Sequence, residues 1–141
     1  MTDPAPPLRT TSQPLRILLA EDNATSREVI RRILETEGHR VTIVTNGREV
    51  LEVLEEREFE LVLMDVQMPE LDGIAATRAI RGSDSPLVNR AIPVIALTAH
   101  AMEGDRERCL AAGMNAYVSK PVRVAELIAA IEACREWQDN P

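Results

Sequence analysis

The chain has 141 residues, of which 45% are hydrophobic, 28% are charged and only 2% are aromatic, and its formal net charge is −7. This composition predicts one globular domain with an aliphatic core, and the negative charge argues against direct binding to nucleic acid, which needs clusters of lysine and arginine. No apolar run approaches the ~18 residues of a membrane span and the N-terminus lacks the apolar core of a signal peptide, so we expect a cytoplasmic protein, alone or as part of a membrane-anchored parent.

The N-terminal residues 1–14 contain four prolines among threonine, serine and aspartate. They offer almost nothing to bury, which predicts a disordered tail or linker. The first apolar strand is predicted at Arg16–Ala20, followed by a helix that Thr25 and Glu28 would open as a capping box. Gly38 is expected to end this helix.

Strands and helices continue to alternate along the chain. The later strands are predicted at Val41–Thr45, Leu61–Asp65, Pro93–Thr98 and Ala116–Ser119. The next helices are predicted at Gly47–Arg57, Ile74–Arg81 and Glu103–Ala112. The last helix carries an apolar stripe of Val124, Leu127, Ile128, Ile131 and Cys134. Five apolar strands alternating with five helices predict an α/β fold over residues 15–138, a doubly wound sheet of five parallel strands covered on both faces.

Polar side chains stand at the C-terminal ends of four predicted strands. Glu21 and Asp22 follow the first strand, Asp65 ends the third, Thr98 ends the fourth and Lys120 follows the fifth. A single Asp after a strand is usually a turn former, and a single Lys is usually a solvated surface group. Because the carboxyl ends of parallel strands converge where such folds bind ligands, the four strand ends together predict one shared pocket.

The residue types in this pocket indicate a chemistry. Three close carboxylates repel one another unless one binds a proton or a cation lies between them. Oxygen ligands alone suit a hard cation, which favours Mg²⁺ (or Mn²⁺) over Zn²⁺. A divalent cation beside a carboxylate suggests phosphoryl transfer with Asp65 as the nucleophile, while Lys120 and Thr98 offer an ammonium and a hydroxyl to the phosphoryl oxygens.

The chain from about residue 15 to residue 137 resembles the receiver domain of two-component response regulators. The segments that carry the resemblance are Leu18–Asn23, Leu63–Pro69, Ile95–Ala99 and Tyr117–Pro121, which read LLAEDN, LMDVQMP, IALTA and YVSKP. The resemblance implies a flavodoxin-like receiver fold. It also implies that Asp65 accepts a phosphoryl group from a phosphohistidine.

The resemblance implies a role for each residue of the pocket. Asp22, Asp65 and the backbone carbonyl of Gln67 would bind Mg²⁺ directly, and Glu21 would act largely through water. The phosphoryl oxygens would be held by Thr98 and Lys120.

A conformational switch is implied as well. Thr98 and Tyr117 would move together and alter the face formed by the fourth helix, the fifth strand and the fifth helix. Taken alone, Tyr117 would be a half-buried amphipathic ring. The peptide bond between Lys120 and Pro121 is often cis in this family, which is affordable only before proline.

The sequences of Ala20–Asn23 and Leu97–Asp105 are most similar to those of receivers attached to hybrid sensor histidine kinases. The expected partners are therefore a kinase dimerisation domain or a histidine phosphotransfer domain, with no direct contact to nucleic acid or membrane. Such partners dock near the first helix, where Asn23, Arg27 and Ile30 are candidate contacts, although Arg27 is equally well read as a solvated helix charge.

Three alternative functions make different demands on the sequence. An enzyme of the haloacid-dehalogenase type, which also phosphorylates an Asp on a doubly wound sheet, needs a second Asp two residues after the nucleophile, where this chain has Gln67. A receiver that is never phosphorylated and serves only as a protein-binding module would lack a pocket residue, and none is missing. The parent chain could also be a whole histidine kinase and therefore an enzyme, which the sequence leaves open.

Overall fold

The computed structural model describes residues 14–82, 85–87, 89–99 and 103–139, without the side chains of residue 103 and residues 136–139. The tail predicted over residues 1–14 lies outside this part except for residue 14, as do residues 100–102 of the segment most similar to hybrid kinases. Within the described part, every helix is too short or too polar to cross a membrane.

Within the described residues, five strands and five helices alternate as predicted. The strands are β1 (Arg16–Ala20), β2 (Arg40–Val44), β3 (Leu61–Asp65), β4 (Val94–Thr98) and β5 (Ala116–Ser119), and the helices are α1 (Ala24–Thr36), α2 (Gly47–Glu56), α3 (Gly73–Arg81), α4 (Glu103–Ala111) and α5 (Val124–Asp139). All strand pairs are parallel, in the order β2-β1-β3-β4-β5. The predicted doubly wound α/β class is confirmed. The predicted bounds differ by one residue at β2, α2, α3, β4 and α4, as element ends commonly do.

Alternate residues of each strand pack into two separate cores. Leu18 and Ala20 of β1 belong to the cluster under α2, α3 and α4, while Ile17 and Leu19 belong to the cluster under α1 and α5. Every residue of β3 is buried. Both faces of the sheet are thus covered, which is why these strands are apolar throughout. Each fully buried Leu or Ile contributes roughly 1.5–3 kcal/mol.

The capping box predicted at Thr25 is wrong. Helix α1 begins at Ala24, and its cap is Asn23, whose Oδ1 accepts a hydrogen bond of 2.9 Å from the backbone N–H of Ser26. Thr25 lies inside the first turn, since β1 ends early enough for Asn23 to take the cap position. Asn is among the best residues for that position.

The end of α1 follows the prediction. Gly38 has a φ of +92°, and its N–H donates to the carbonyl of Glu35. The N–H of His39 donates to the carbonyl of Leu34. These two bonds form a Schellman motif, in which a left-handed residue lets the chain leave the helix, and glycine adopts that conformation at least cost.

Two apolar residues were assigned to the wrong face. In α5, Leu127, Ile131 and Cys134 are buried as expected, but Val124 at the start of the helix is 53% exposed. In α1, Ile30 is fully buried in the core, so it cannot be a docking contact for a partner.

Candidate functional site

A cleft of about 610 Å³ opens at the carboxyl ends of β1, β3, β4 and β5. Its walls include the predicted pocket residues Glu21, Asp22, Asp65, Gln67, Thr98 and Lys120. They also include Asn23, Val66, Met68, Pro69, Ala99, Asp105 and Arg108. The convergence expected from a parallel sheet therefore brings this set together, whereas Tyr117 does not line the cleft.

Three carboxylates of the cleft lie close together. One oxygen from each of Glu21, Asp22 and Asp65 lies within 4.8 Å of the others. Glu21 is fully buried and Asp65 is 5% exposed, while Asp22 is open to solvent. Buried like charges are costly unless a cation compensates them. This all-oxygen donor set is the kind that hard divalent cations bind.

Lys120 supplies one compensating charge. Its Nζ lies 2.7 Å from Oε1 of Glu21 and 3.1 Å from Oδ2 of Asp65. Burial alone would lower the pKa of Lys120, but the contacts with the two carboxylates outweigh it and raise that pKa above its ordinary value. The side chain is therefore a permanent ammonium. One ammonium contacts two of the three carboxylates, so these four groups together keep an excess of negative charge.

Asp65 is held in place by both of its oxygens. Oδ1 accepts a hydrogen bond of 3.1 Å from the backbone N–H of Gln67, and Oδ2 accepts one from Lys120. Burial, together with the neighbouring Glu21, raises the pKa of Asp65 to about 6, although Lys120 opposes the rise. At neutral pH most molecules therefore carry an ionised Asp65, which is a requirement for a nucleophile.

Glu21 has one oxygen whose hydrogen bonding is incomplete. Its Oε2 accepts a hydrogen bond of 3.1 Å from the backbone N–H of Asn23. Its Oε1 is buried and close to the Lys120 ammonium, but no group of the described residues gives it a hydrogen bond of ordinary geometry. A buried carboxylate oxygen of this kind fits a bound cation or a water molecule on that cation.

Thr98 and Lys120 are positioned by adjacent strands. The backbone N–H of Lys120 donates to the carbonyl of Thr98 at 2.8 Å, which continues the pairing of Thr98 with Ser119. Thr98 is 5% exposed, and the peptide bond between Lys120 and Pro121 is cis. The end of the β4–β5 ladder thus fixes the backbone from which the side chains of Thr98 and Lys120 line the cleft beside Asp65.

Two residues that support the site were not identified from the sequence as positioning groups. Arg27 donates through Nη1 to the backbone carbonyls of Glu21 and Asp22, at 3.3 and 3.1 Å, and so restrains the β1–α1 loop. A side-chain atom added to Gly73 would lie 2.3 Å from the carbonyl oxygen of Asp65. The glycine at the start of α3 was a visible signal for close backbone approach, but the Arg27 contacts had no sequence signal.

The loop after Asp65 contains a strained residue. Glu70 has a φ of 67°, and the backbone N–H of Leu71 donates to the carbonyl of Pro69 at 2.7 Å. This is a three-residue turn of a rare kind, and a side chain with a Cβ is unfavourable at its centre. The carbonyl of Leu71 then accepts a hydrogen bond of 2.9 Å from Gly47 at the start of α2.

Residues 17–132 match the response regulator receiver domain family. Hybrid signal transduction histidine kinase K of Dictyostelium discoideum is 40% identical over 130 residues, which are 89% of this chain but 11% of the kinase. The polar-differentiation response regulator DivK of Brucella anthropi is 38% identical over 120 residues, 85% of this chain and 95% of that protein. The chain thus spans a small part of one relative and nearly all of the other.

Solved structures share the fold. The receiver domain of a sensor histidine kinase from Pseudomonas aeruginosa, with a magnesium ion coordinated in its active-site cleft, has a TM-score of 0.76 and 43% identity, covering 86% of this chain and 97% of that one. A receiver domain from Saccharomyces cerevisiae, crystallised with the histidine phosphotransfer protein upstream of it, has a TM-score of 0.70 and 28% identity, covering 81% of this chain and 83% of that one.

Proposed function

The chain belongs to the response regulator receiver domain family of two-component and phosphorelay signalling, and from that premise we propose that Asp65 accepts a phosphoryl group from a phosphohistidine on a partner protein. The observation that carries the proposal is the setting of Asp65. It is a buried carboxylate at the end of the central strand, ionised at neutral pH and placed between an ammonium and two further carboxylates.

The transfer would use side chains that already surround Asp65. A carboxylate oxygen of Asp65 attacks phosphorus, so that a P–O bond forms while the P–N bond of the phosphohistidine breaks. The electron pair of the broken bond stays on the imidazole, which takes up one proton. Lys120 and the Thr98 hydroxyl then meet the negative charge that the phosphoryl oxygens bring into the cleft.

The carboxylates would hold a divalent cation during this reaction. Glu21, Asp22, Asp65 and the backbone carbonyl of Gln67 offer only oxygen donors, which fit Mg²⁺ or Mn²⁺. When bound, such an ion would neutralise charge on the carboxylates and on the phosphoryl oxygens. The incomplete hydrogen bonding of Glu21 Oε1 supports this fit, as does the magnesium ion in the similar receiver from Pseudomonas aeruginosa.

The response to phosphorylation would pass through Thr98 and Tyr117. Tyr117 of β5 is paired with Ala96 of β4. Ala96 precedes Thr98 by two residues in the same strand. Side chains two residues apart in a strand face the same side of the sheet, so Thr98 and Tyr117 are neighbours on one face. Movement of the hydroxyl toward the phosphoryl group would make room for the ring and reshape the face of α4, β5 and α5.

The partner is proposed to be a histidine phosphotransfer domain or a kinase dimerisation domain. The receiver that was crystallised with a histidine phosphotransfer protein supports the first choice. Docking is proposed at α1, which follows the loop that carries Asp22 and Asn23 and in which Val29 is 44% exposed. Arg27 is less available than expected, because it is bonded to that loop.

We further propose that the receiver domain covers residues 15–138 and that residues 1–14 are a disordered tail or linker. The likeness to hybrid kinases favours a cytoplasmic receiver joined to a parent kinase, which would be the enzyme. DivK, which this chain covers almost entirely, favours a receiver that stands alone. Immunoblotting of cell extracts for the size of the chain that carries residues 15–138 separates these two forms.

Phosphoryl uptake tests the central proposal. Incubation with acetyl phosphate and Mg²⁺ should add one phosphoryl group, which intact-protein mass spectrometry detects. Asp65→Asn should abolish the addition. Asp72→Asn is the matched control, because Asp72 caps α3 outside the cleft and Asn serves equally well as a cap. Uptake that persists in Asp65→Asn would overturn the assignment.

A further inference from the structure

The ring of Tyr117 has two kinds of neighbour. One is the apolar cluster under α2, α3 and α4, against which the half-buried ring packs. The other is Arg106 of α4, whose guanidinium carbon lies 5.3 Å from the centre of the ring. This distance is within the range of a cation–π interaction.

The helix geometry explains why Arg106 reaches the ring. Cys109 is 1% exposed and belongs to the same apolar cluster as Tyr117. Residues three apart lie on neighbouring positions of a helix surface. Arg106 therefore lies next to the buried face of α4, at its boundary with solvent, where it can reach Tyr117 of β5.

Arg106 has few competing partners. Among the residues whose side chains are described, the ion pairs of α4 include one between Arg108 and Asp105 but none to Arg106. The contact that accounts for its position is the face of Tyr117. Arginine is suited to this contact, because its planar and weakly hydrated guanidinium stacks on aromatic faces.

We propose that Arg106 is a positioning residue that holds the Tyr117 ring in its half-buried position and thereby opposes the phosphorylated state. This inference rests on the proposed function, in which Tyr117 moves inward as Thr98 engages the phosphoryl group. A ring that moves further inward leaves the guanidinium of the exposed Arg106, so the contact stabilises only the half-buried position. A contact present in one of two states shifts their balance, and linkage passes that shift to any ligand that prefers the other state.

The expected size of the effect follows from the exposure of the pair. Both Arg106 and the ring are open to solvent on one side, so the contact is worth about a two- to five-fold change in the balance. Arg106→Ala should bind beryllium fluoride with Mg²⁺, a mimic of an aspartyl phosphate, about two- to five-fold more tightly than wild type. Arg106→Lys keeps the charge but not the planar group, and should fall between the two.

The chain has a single tyrosine, which makes the ring directly observable. Protein labelled with 3-fluorotyrosine gives one ¹⁹F NMR signal from the folded state. In the absence of any ligand, the signal of Arg106→Ala should move toward the position that wild type reaches when saturated with beryllium fluoride. Arg78→Ala is the control, since it removes an exposed arginine from α3, away from Tyr117, and should match wild type in both measurements.

The outcomes are distinguishable. Wild type that binds beryllium fluoride while Arg106→Ala shows the same affinity and the same ligand-free signal would overturn the inference and leave the proposed function standing. Weaker binding by Arg106→Ala would also overturn it. Wild type that fails to bind beryllium fluoride at all would overturn the proposed function, and the inference with it.

Discussion

Polar groups are paired differently at the two ends of the parallel strands, which we call the carboxyl edge, where the strands end, and the amino edge, where they begin. At the carboxyl edge, Glu21 and Asp65 are buried with like charges, and the pKa of Asp65 is raised to about 6. At the amino edge, Arg81 of α3 donates to the carbonyls of Gly113 and Arg90 and to Oδ1 of Asn115, over distances of 2.8 to 3.1 Å. The carboxyl edge keeps more negative charge than Lys120 compensates, whereas at the amino edge the guanidinium and its oxygen partners are paired by hydrogen bonds.

This difference indicates that the polar groups of the amino edge stabilise the fold, whereas those of the carboxyl edge destabilise it. Buried polar groups stabilise a fold only when they are paired. The amino edge is built from such pairs, while the carboxyl edge keeps carboxylates that repel one another until a cation or a proton arrives. Substitutions at the two edges should therefore change the free energy of unfolding with opposite signs.

The largest change is expected at the amino edge. Arg81→Ala removes a half-buried guanidinium that ties the end of α3 to the start of β5, and leaves the carbonyl of Gly113 without this donor. Hydrogen bonds of a charged donor are each worth ~1.5–3 kcal/mol, so the free energy of unfolding should fall by about 2–4 kcal/mol. Urea denaturation measures this.

The control for that experiment lies on the same helix. Arg78 is exposed, and Arg78→Ala should stay within about 0.5 kcal/mol of wild type. Phosphoryl uptake by folded Arg81→Ala should be retained, because Arg81 lies outside the cleft. Equal stability of the two variants would show that the amino edge does not depend on Arg81.

At the carboxyl edge, the sign should reverse. Without divalent cations at pH 7.5, Asp65→Asn should raise the free energy of unfolding by about 1–2 kcal/mol, because it removes one buried negative charge next to Glu21. The folded state holds the Asp65 proton more tightly than the unfolded state. The protonated carboxyl therefore stabilises the fold at low pH, and this contribution is lost as pH rises through the pKa of about 6.

The pH dependence gives this prediction its control. The stability difference between Asp65→Asn and wild type should be small near pH 4 and should grow up to pH 7. Adding Mg²⁺ at pH 7.5 should narrow the difference again, if the ion stabilises the three carboxylates of wild type. A difference that does not change between pH 4 and pH 7 would contradict a charge-based origin.

Some of this arrangement could be predicted from the sequence and some could not. The bounds of β3 and β5 and the set of polar residues at the strand ends were predictable, because parallel topology brings the carboxyl ends together whatever the loops do. Ile30 was expected as a docking contact only because of the family resemblance, whereas its own spacing of four residues from Leu34 is typical of a buried helix face, and both residues are fully buried.

Other supporting contacts lie beyond any local pattern. Arg81 reaches partners 9 to 34 residues away along the chain, and only the tertiary fold brings the end of α3 next to the segments that precede β4 and β5. The positive φ of Glu70 is a backbone property that the residue type does not signal. The roles assigned to Thr98, Tyr117 and Lys120 in phosphoryl transfer stay predictions until the uptake and binding experiments are done.

A smaller pH effect of opposite direction is expected at the amino edge. Nδ1 of His39 accepts a hydrogen bond of 3.0 Å from the backbone N–H of Leu15, and burial, with the nearby cation of Arg135, lowers the pKa of His39 below 6.5. The unfolded state therefore binds the proton more readily. The stability from neutral His39 is complete above pH 6.5 and is lost as pH falls below that value.

The matched variant is His39→Asn, whose side-chain oxygen can accept the same bond but does not titrate near pH 6. Chemical denaturation between pH 5 and pH 7.5 should show wild type losing stability relative to this variant on the acidic side. Parallel pH profiles of the two proteins would show that His39 does not titrate differently in the folded state.

The smallest effect is expected at the strained turn of the carboxyl edge. Asn tolerates a positive φ better than Glu does, so Glu70→Asn should raise the free energy of unfolding by about 0.5 kcal/mol. Glu70→Ala removes the same charge but keeps the unfavourable backbone, and should match wild type. If Glu70→Asn and Glu70→Ala have the same free energy of unfolding in urea, the positive φ of Glu70 does not lower the stability of the protein. The destabilisation at the carboxyl edge then comes from its charges alone.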